Sequence, residues 1–445
     1  MIAVSSFLRR LLGARHEKVD RRTQDVGALC EALLAEPAEF AGTQLARDTL
    51  AAYQALDEPL RREFFDVLAR AYSPSPEAAG AAADAYRNDP SAANLIRLQE
   101  AVDPPRQELF RRLNMAPGGT ATLVDMRRLL LKDLRSHPEW RVIDADLRHL
   151  LRSWFNRGFL RMERIDWRTS AIVLEKLIQY EAVHAIHGWP DLHRRLEADR
   201  RCFAFFHPQL PDEPIIFIEV ALTRGMSANV QPLLEVNSAV ADPHSADCAM
   251  FYSITNCQEG LRGISFGNLL IKQVVEDLKR EFPHLQRFAT LSPVPGFRHW
   301  LEESRVRLSM GQGGNERLAL LARLQEPGWH LGEIPEALEA LLTRLCAYYL
   351  LHAKQDEKDS EPLDPVARFH LANGAALERL NWMGDASEQG MARSAGLMVN
   401  YVYSLADVEK NHERYFRQHA VVASPAIERL ARESPLAAID RGAAA

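Results

Sequence analysis

The sequence holds little cysteine and never pairs it closely. Cys30, Cys202, Cys248, Cys257 and Cys346 are scattered over 445 residues without a CxxC pair. That excludes a zinc knuckle and a disulfide scaffold, and it fits a reducing compartment, which points to the cytoplasm. Long apolar runs are also missing. No stretch of about 18 residues is free of charge, so no membrane-spanning helix is expected. Basic residues are not in excess: the net charge of −6 excludes a general nucleic-acid binder. The final residues, RGAAA, carry no peroxisomal address. The opening stretch, MIAVSSFLRRLLGARHEKVDRR, has the arginines and serines of a transit peptide, but Glu17 and Asp20 enter early, and an ordinary first helix is expected instead.

What is present is a soluble composition, 47% hydrophobic and 26% charged, on a chain long enough for two or three domains. From about residue 20 to 163, apolar residues recur three and four apart and prolines punctuate the runs. No fixed repeat appears, so a helical bundle over 1–164 is expected, serving assembly, with its charges on solvated helix faces. The remainder, 165–445, mixes both patterns, giving an α+β chain. IVLEKLIQYEAVHAI and WPDLHRRLEADRR continue as helices. RCFAFFHP, EPIIFIEVALT and CAMFYSITN read as strands rich in Ile, Val, Phe and Tyr, with PDEP as the turn of a hairpin.

The third of these strands runs straight into NCQEGLRGISFGNLLIKQVVEDLKREFP. Gly260, Gly263 and Gly267 crowd the mouth of a helix, and RFATLSPVPG follows as a strand. Strand, glycine-rich turn, helix and strand make a crossover unit. The spacing fits neither GxGxxG nor GxxxxGK[ST]. A helix mouth still offers unpartnered amides to an anion, and glycines let backbone approach it. A turn with close packing explains the same glycines. A helical insertion is expected over about 299–357. VARFHLANGAALERLNW then reads as a short strand, an Asn-Gly turn and a helix, before a late strand GLMVNYVYS and a closing helix DVEKNHERYFRQ.

Several residues are candidates for chemistry. Ser292, in TLSPVPGF, is held extended by Pro293 at a strand end; it lies outside a GxSxG elbow, so it is not read as an acylated nucleophile. His370, among Val366, Phe369 and Leu371, is either a core histidine or a proton donor. His184 and His187 stand three apart on an expected helix without a third metal ligand nearby, and are read as structural. Asn400, Tyr401 and Tyr403 follow a strand pattern that puts the two tyrosines on one face, where they line a pocket or pack a core.

Taken together, FYSITNCQEGLRGISFGNLLIKQVVEDLKREFPHL, FATLSPVPGF, ARFHLANGAALERLNW and SAGLMVNYVY resemble malonyl-CoA decarboxylase. The resemblance runs from the helical half to residue 403. It implies an N-terminal helical domain, a C-terminal domain of the GNAT acetyltransferase fold, and conversion of malonyl-CoA to acetyl-CoA and CO2, a step of fatty acid metabolism, without a cofactor or metal. It implies a homotetramer, no nucleic acid and no membrane. Position by position, Ser292 matches the catalytic serine and His370 the catalytic histidine. Arg262, Gly263, Ile264, Ser265, Phe266, Gly267 and Asn268 match the CoA-binding loop, and Ser253 a serine near the active site. Asn400 and Tyr401 are taken as substrate-binding residues. Ser265 departs from a glutamate found in some relatives and is read only as a loop residue. On this reading the glycines close on the CoA pyrophosphate. Ser292 holds the carboxylate or relays a proton, and His370 protonates carbon, so turnover is expected to fall as pH rises through its pKa. Amides near Ser253 to Asn256 are the expected donors to the thioester oxygen. A GNAT acyltransferase, transferring an acyl group from CoA to an amine, is the alternative; a catalytically dead scaffold is a further one.

Overall fold

The structure, a computed structural model, describes residues 20–264, 270–310, 312–355 and 361–443. By contacts the chain divides into two units. The first comprises residues up to Arg161, the hairpin tip Phe206–Ile215 and the described residues of 258–266; the second holds the rest.

The first unit is built of helices, from Arg21–Ala35 and Glu39–Gln54 through Gly119–Asp133 to Arg141–Trp154. Their starts follow local chemistry. Asp57, Ser75 and Ser91 each cap a helix by accepting a backbone N–H of its first turn, and Pro59, Pro76 and Pro105 occupy first-turn positions where a missing N–H costs nothing. Phe64, Phe65, Phe110, Leu123, Leu130 and Trp140 form its buried interior. Contrary to expectation, not every charge here is solvated. Arg106 pairs with Asp146 and Arg127 with Asp144, all with buried or nearly buried side chains.

The second unit carries a mixed sheet of eight strands: β1 (Arg161–Ile165), β2 (Arg200–His207), β3 (Leu210–Thr223), β4 (Cys248–Asn256), β5 (Arg287–Thr290), β6 (Ser292–Pro293), β7 (Ala376–Asn381) and β8 (Met398–Val402), in the order β1-β2-β3-β4-β5-β8-β6 with β7 on β8. β4 pairs parallel to β5 across the helix Leu270–Glu281, the crossover anticipated from the sequence; β3–β4 and the pairs made by β8 are antiparallel. This is an α+β domain with a helical insertion, Phe297–His352, between β6 and β7.

Four local expectations are corrected. The β2–β3 turn falls at Pro208–Gln209, and Pro211, Asp212 and Glu213 already belong to β3, with Asp212 in a left-handed conformation at φ 58°. The segment of His184 and His187 is not helical: the preceding helix ends at Tyr180 and the next begins at Trp189. RFATLSPVPG is broken at Leu291 into β5 and β6. The order after residue 364 is reversed. Pro365–Ala372 is a helix, Asp364 caps it, Gly374 turns the chain, and Ala376–Asn381 is the strand. Val366, Phe369 and His370 share a helical face, and this three-to-four spacing outweighs the apparent strand pattern.

Candidate active site

Two features of the sheet open a cavity. β4 carries one extra residue: Glu219 pairs with Ser253 and Val220 with Phe251, leaving Tyr252 as a bulge. The β4–β5 ladder ends at Phe251 and Thr290, yet β4 continues to Asn256. Past that point the β4 edge faces no partner strand among the described residues. A cavity of about 260 Å³ occupies the gap. Ser253, Ile254 and Asn256 line it from β4, Ser292 and Pro293 from β6, and Phe369 and His370 from the Pro365–Ala372 helix.

Ser292 and His370 are 78 positions apart, and the fold brings them into contact: Ser292 Oγ lies 2.9 Å from His370 Nε2. On the other side of the ring Nδ1 is 2.8 Å from the Tyr403 hydroxyl, and the Tyr401 ring stacks on the imidazole at 4.5 Å between centroids. Ser292 Oγ is also 2.8 Å from Thr290 Oγ1, which accepts the Tyr401 backbone N–H. Burial drives the Tyr403 hydroxyl well above the usual phenol range, so it keeps its proton. Its acceptor is Nδ1. The network therefore assigns the imidazole proton to Nε2, donating to Ser292 Oγ, with Ser292 donating onward to Thr290. The chain of donors runs Tyr403, His370, Ser292 and ends on the accepting Thr290 Oγ1.

Burial also pushes His370 down to about 3. Without a counter-charge it is a neutral imidazole across the physiological range. Nothing charged offsets the desolvation.

The other candidates separate. Ser253 is buried beside the cavity and donates to the Glu181 carboxylate, at 2.9 and 2.8 Å from its two oxygens; the same carboxylate accepts the Val183 and His184 backbone N–H groups. Asn400 is fully buried, and its amide is saturated. Its oxygen accepts from Arg379 and Asn381, and its nitrogen donates to the Ser227 and Thr290 carbonyls. These bonds tie β7 and β8 to β5. Tyr401 is likewise buried, with its ring stacked on His370.

Of the expected loop, Ser265, Phe266, Gly267 and Asn268 lie outside the described residues. Arg262, Gly263 and Ile264 are described, and Gly263 takes a φ of 76°, where glycine is favoured; among the described residues no atom lies within 4 Å of a Cβ placed there. Gly260 has a packing reason: a Cβ there would sit 2.0 Å from the Val124 carbonyl oxygen. Arg127, on the helix Gly119–Asp133, donates to the Gly260 and Arg262 carbonyls at 2.7 and 2.9 Å. Sequence reasoning missed Arg127, Tyr403 as a partner of His370, and Glu181. Only Arg127 carried a signal, as an arginine amid the apolar positions of its helix.

The chain is similar to known proteins over most of its length. The malonyl-CoA decarboxylase C-terminal domain family matches residues 158–440, and the malonyl-CoA decarboxylase N-terminal domain family matches 72–155. A mitochondrial malonyl-CoA decarboxylase from Anser anser anser is 37% identical over 353 residues, 74% of this chain and 69% of the relative. The crystal structure of malonyl-CoA decarboxylase from Rhodopseudomonas palustris is 48% identical with a TM-score of 0.87, covering 92% of this chain and 99% of that one. That from Agrobacterium vitis is 46% identical with a TM-score of 0.84, covering 91% and 99%.

Proposed function

Since the chain belongs to the malonyl-CoA decarboxylase family, we propose that it decarboxylates malonyl-CoA to acetyl-CoA and CO2 in the cavity between β4 and β6. The observation that carries this reading is the buried Ser292–His370 hydrogen bond on the wall of that cavity.

The reaction breaks the bond between the carboxylate carbon and the methylene carbon. The electron pair moves into the thioester, giving an enolate, and the thioester itself is the electron sink. A proton then forms the methyl group as the carbonyl returns. The free edge of β4 at Ser253–Asn256 supplies backbone groups next to where the thioester oxygen would lie; fixed donors there would stabilise the enolate. Ser292 meets the carboxylate. The substrate's negative charge works against the desolvation that holds His370 neutral, because an opposite charge within a few ångströms favours the imidazolium. His370 thus takes up a proton as substrate binds and delivers it, through Ser292 or directly, to the enolate carbon. Tyr403 fixes the ring so that Nε2, not Nδ1, faces the reaction. The segment 262–268, which follows β4 in the chain, is assigned to the CoA pyrophosphate. The protein acts in the cytoplasm, a reading supported by five buried cysteines that form no disulfide, and as a homo-oligomer, which sedimentation of the purified chain tests.

The test is purified protein with malonyl-CoA and no acceptor. Acetyl-CoA and CO2 should form in equal amounts, and a single turnover by His370→Ala should be slowed roughly 10²–10⁴-fold, the usual scale for a positioned acid. Acyl transfer that requires an added amine, with no CO2, would replace this reading with an acyltransferase.

A further inference from the structure

Among the described residues, none of the helical insertion Phe297–His352 lines the reaction cavity. Its two ends nevertheless adjoin the elements that carry the reacting pair: β6 with Ser292 comes before it, and the Pro365–Ala372 helix with His370 comes after it. Ser292 has little else to fix it. β6 is two residues long and, among the described residues, pairs with β8 alone, and the prolines at 293 and 295 offer no N–H.

One side chain of the insertion reaches both elements. Tyr349, on the helix Glu336–His352, is buried. Its hydroxyl donates to Asp364 Oδ2 in a long hydrogen bond of 3.4 Å, while Asp364 Oδ1 accepts the Val366 and Ala367 N–H groups of the His370 helix. The same hydroxyl rests on Gly296, in the turn that follows Ser292: a Cβ at Gly296 would lie 2.5 Å from it. The backbone there, at φ −90° and ψ −7°, is open to residues with a side chain, so the turn itself does not demand glycine. Glycine leaves the seat that the tyrosine hydroxyl fills. The ring is packed against Phe297 and Trp300, at 5.9 and 5.0 Å between centroids, so the hydroxyl is the end of a held ring and not of a mobile chain. The Gly296 N–H also acts on the Asp364 carboxylate and favours its charged form.

We propose that Tyr349 is a positioning residue for the reaction: seated on Gly296 and bonded to Asp364, it holds the turn after Ser292 in register with the cap of the His370 helix, and so keeps Ser292 Oγ in contact with His370 Nε2. The insertion is then a clamp on the reacting pair. The effect on turnover rests on the decarboxylase reading; the seat on Gly296 does not.

The experiment is steady-state decarboxylation of malonyl-CoA, with melting temperatures, by the full chain carrying Tyr349→Phe, Gly296→Ala or both. Tyr349→Phe should lower kcat about two- to tenfold, the scale of one hydrogen bond, with KM unchanged. Gly296→Ala should lower kcat roughly tenfold or more, because its Cβ must displace the hydroxyl and small misplacements of reacting groups cost rate steeply. The double variant should match Tyr349→Phe alone: without the hydroxyl, the nearest ring atom is 3.6 Å from the Cβ, an ordinary contact. Wild-type turnover by Gly296→Ala, a double variant slowed by the product of the two single effects, or a loss confined to KM would each overturn the proposal. If Gly296→Ala does not fold, the double variant decides: it should fold and turn over like Tyr349→Phe, and its failure to do so overturns the proposal. If the wild-type chain releases no CO2, the decarboxylase reading falls instead, and melting temperature judges the seat. That temperature should drop in Gly296→Ala and return to the Tyr349→Phe value in the double variant; an unrestored value overturns the seat as well.

Discussion

His370 carries the sharpest consequences at the scale of single residues. Its hydrogen-bond partners fix its tautomer, and its burial holds its pKa down to about 3, so the ring is neutral near pH 7. The plot of kcat/KM against pH reports the free enzyme; because the reacting complex holds a proton that free His370 lacks, it should fall steadily between about pH 5 and 8, with no bend at a His370 pKa. The plot of kcat reports the complex, in which the substrate's carboxylate lifts the ring; kcat should fall as pH rises through that higher value, because the imidazolium is lost. A histidine limb near 6.5 in kcat/KM would contradict the geometry. Stability has the opposite sign. With a folded value below the unfolded one, the unfolded chain binds the proton first, so His370 should make the protein less stable as pH falls from about 6.5 towards 3, by up to ~1.4 kcal/mol per pH unit. Chemical denaturation of His370→Gln across that range should be correspondingly flatter. Tyr403→Phe keeps the ring but frees Nδ1. It should lower kcat with little change in KM for malonyl-CoA, because the proton on Nε2 is no longer enforced.

At the scale of elements, the helix Pro365–Ala372 is a short one with a demanding task. Asp364 caps it by accepting the Val366 and Ala367 N–H groups, and burial raises that carboxyl to about 6 despite those bonds. Asp364→Ala should cost about 1–2 kcal/mol, the range for a lost cap, and should slow turnover through His370. Asp364→Asn keeps the cap. Because the folded value is raised, the native carboxyl loses stability as pH rises from 3.8 to about 6, and the asparagine variant should not. Denaturation midpoints measured on either side of that window check both statements. This same helix shows where sequence reasoning stops. The strands β2 to β5 and the crossover helix were legible because their apolar periodicity is local. Ser292 and His370 were legible as candidates, but the period of VARFHLA is ambiguous over so few residues, and strand was the wrong choice. The bonding of the Asn400 amide to Arg379, Asn381, Ser227 and Thr290 was not legible, because it depends on three-dimensional neighbours. The bulge at Tyr252, which helps open the cavity, has no glycine or other mark in the sequence.

At the scale of the whole molecule, the helical unit does more than the assembly role suggested by its patterning. It includes residues 206–215 and the described part of 258–266, and Arg127 holds the carbonyls of Gly260 and Arg262 from within that unit. Arg127→Met keeps the stem but removes the donors, leaving two carbonyls without them. KM for malonyl-CoA should rise several-fold while kcat changes little, if the segment beyond Arg262 holds CoA as proposed. A shortened chain beginning at residue 165 lacks Arg127 and Val124 altogether. Amide hydrogen exchange at 258–264 should then be fast, where the full chain protects it.

The same interleaving bears on how the protein is made. Arg127 leaves the ribosome 135 positions before Arg262, one of the two residues whose carbonyls it will hold. At usual synthesis rates that is a wait on the order of ten seconds. During it the helices can collapse around Trp140 and Phe110, but the guanidinium has only Asp144, and the groove at Val124 that Gly260 will fill stands open. The first unit is therefore N-terminal in position but late in completion. A nascent chain stalled before Gly260 should be cut by protease near the helix Gly119–Asp133, and one stalled well after Ile264 should resist.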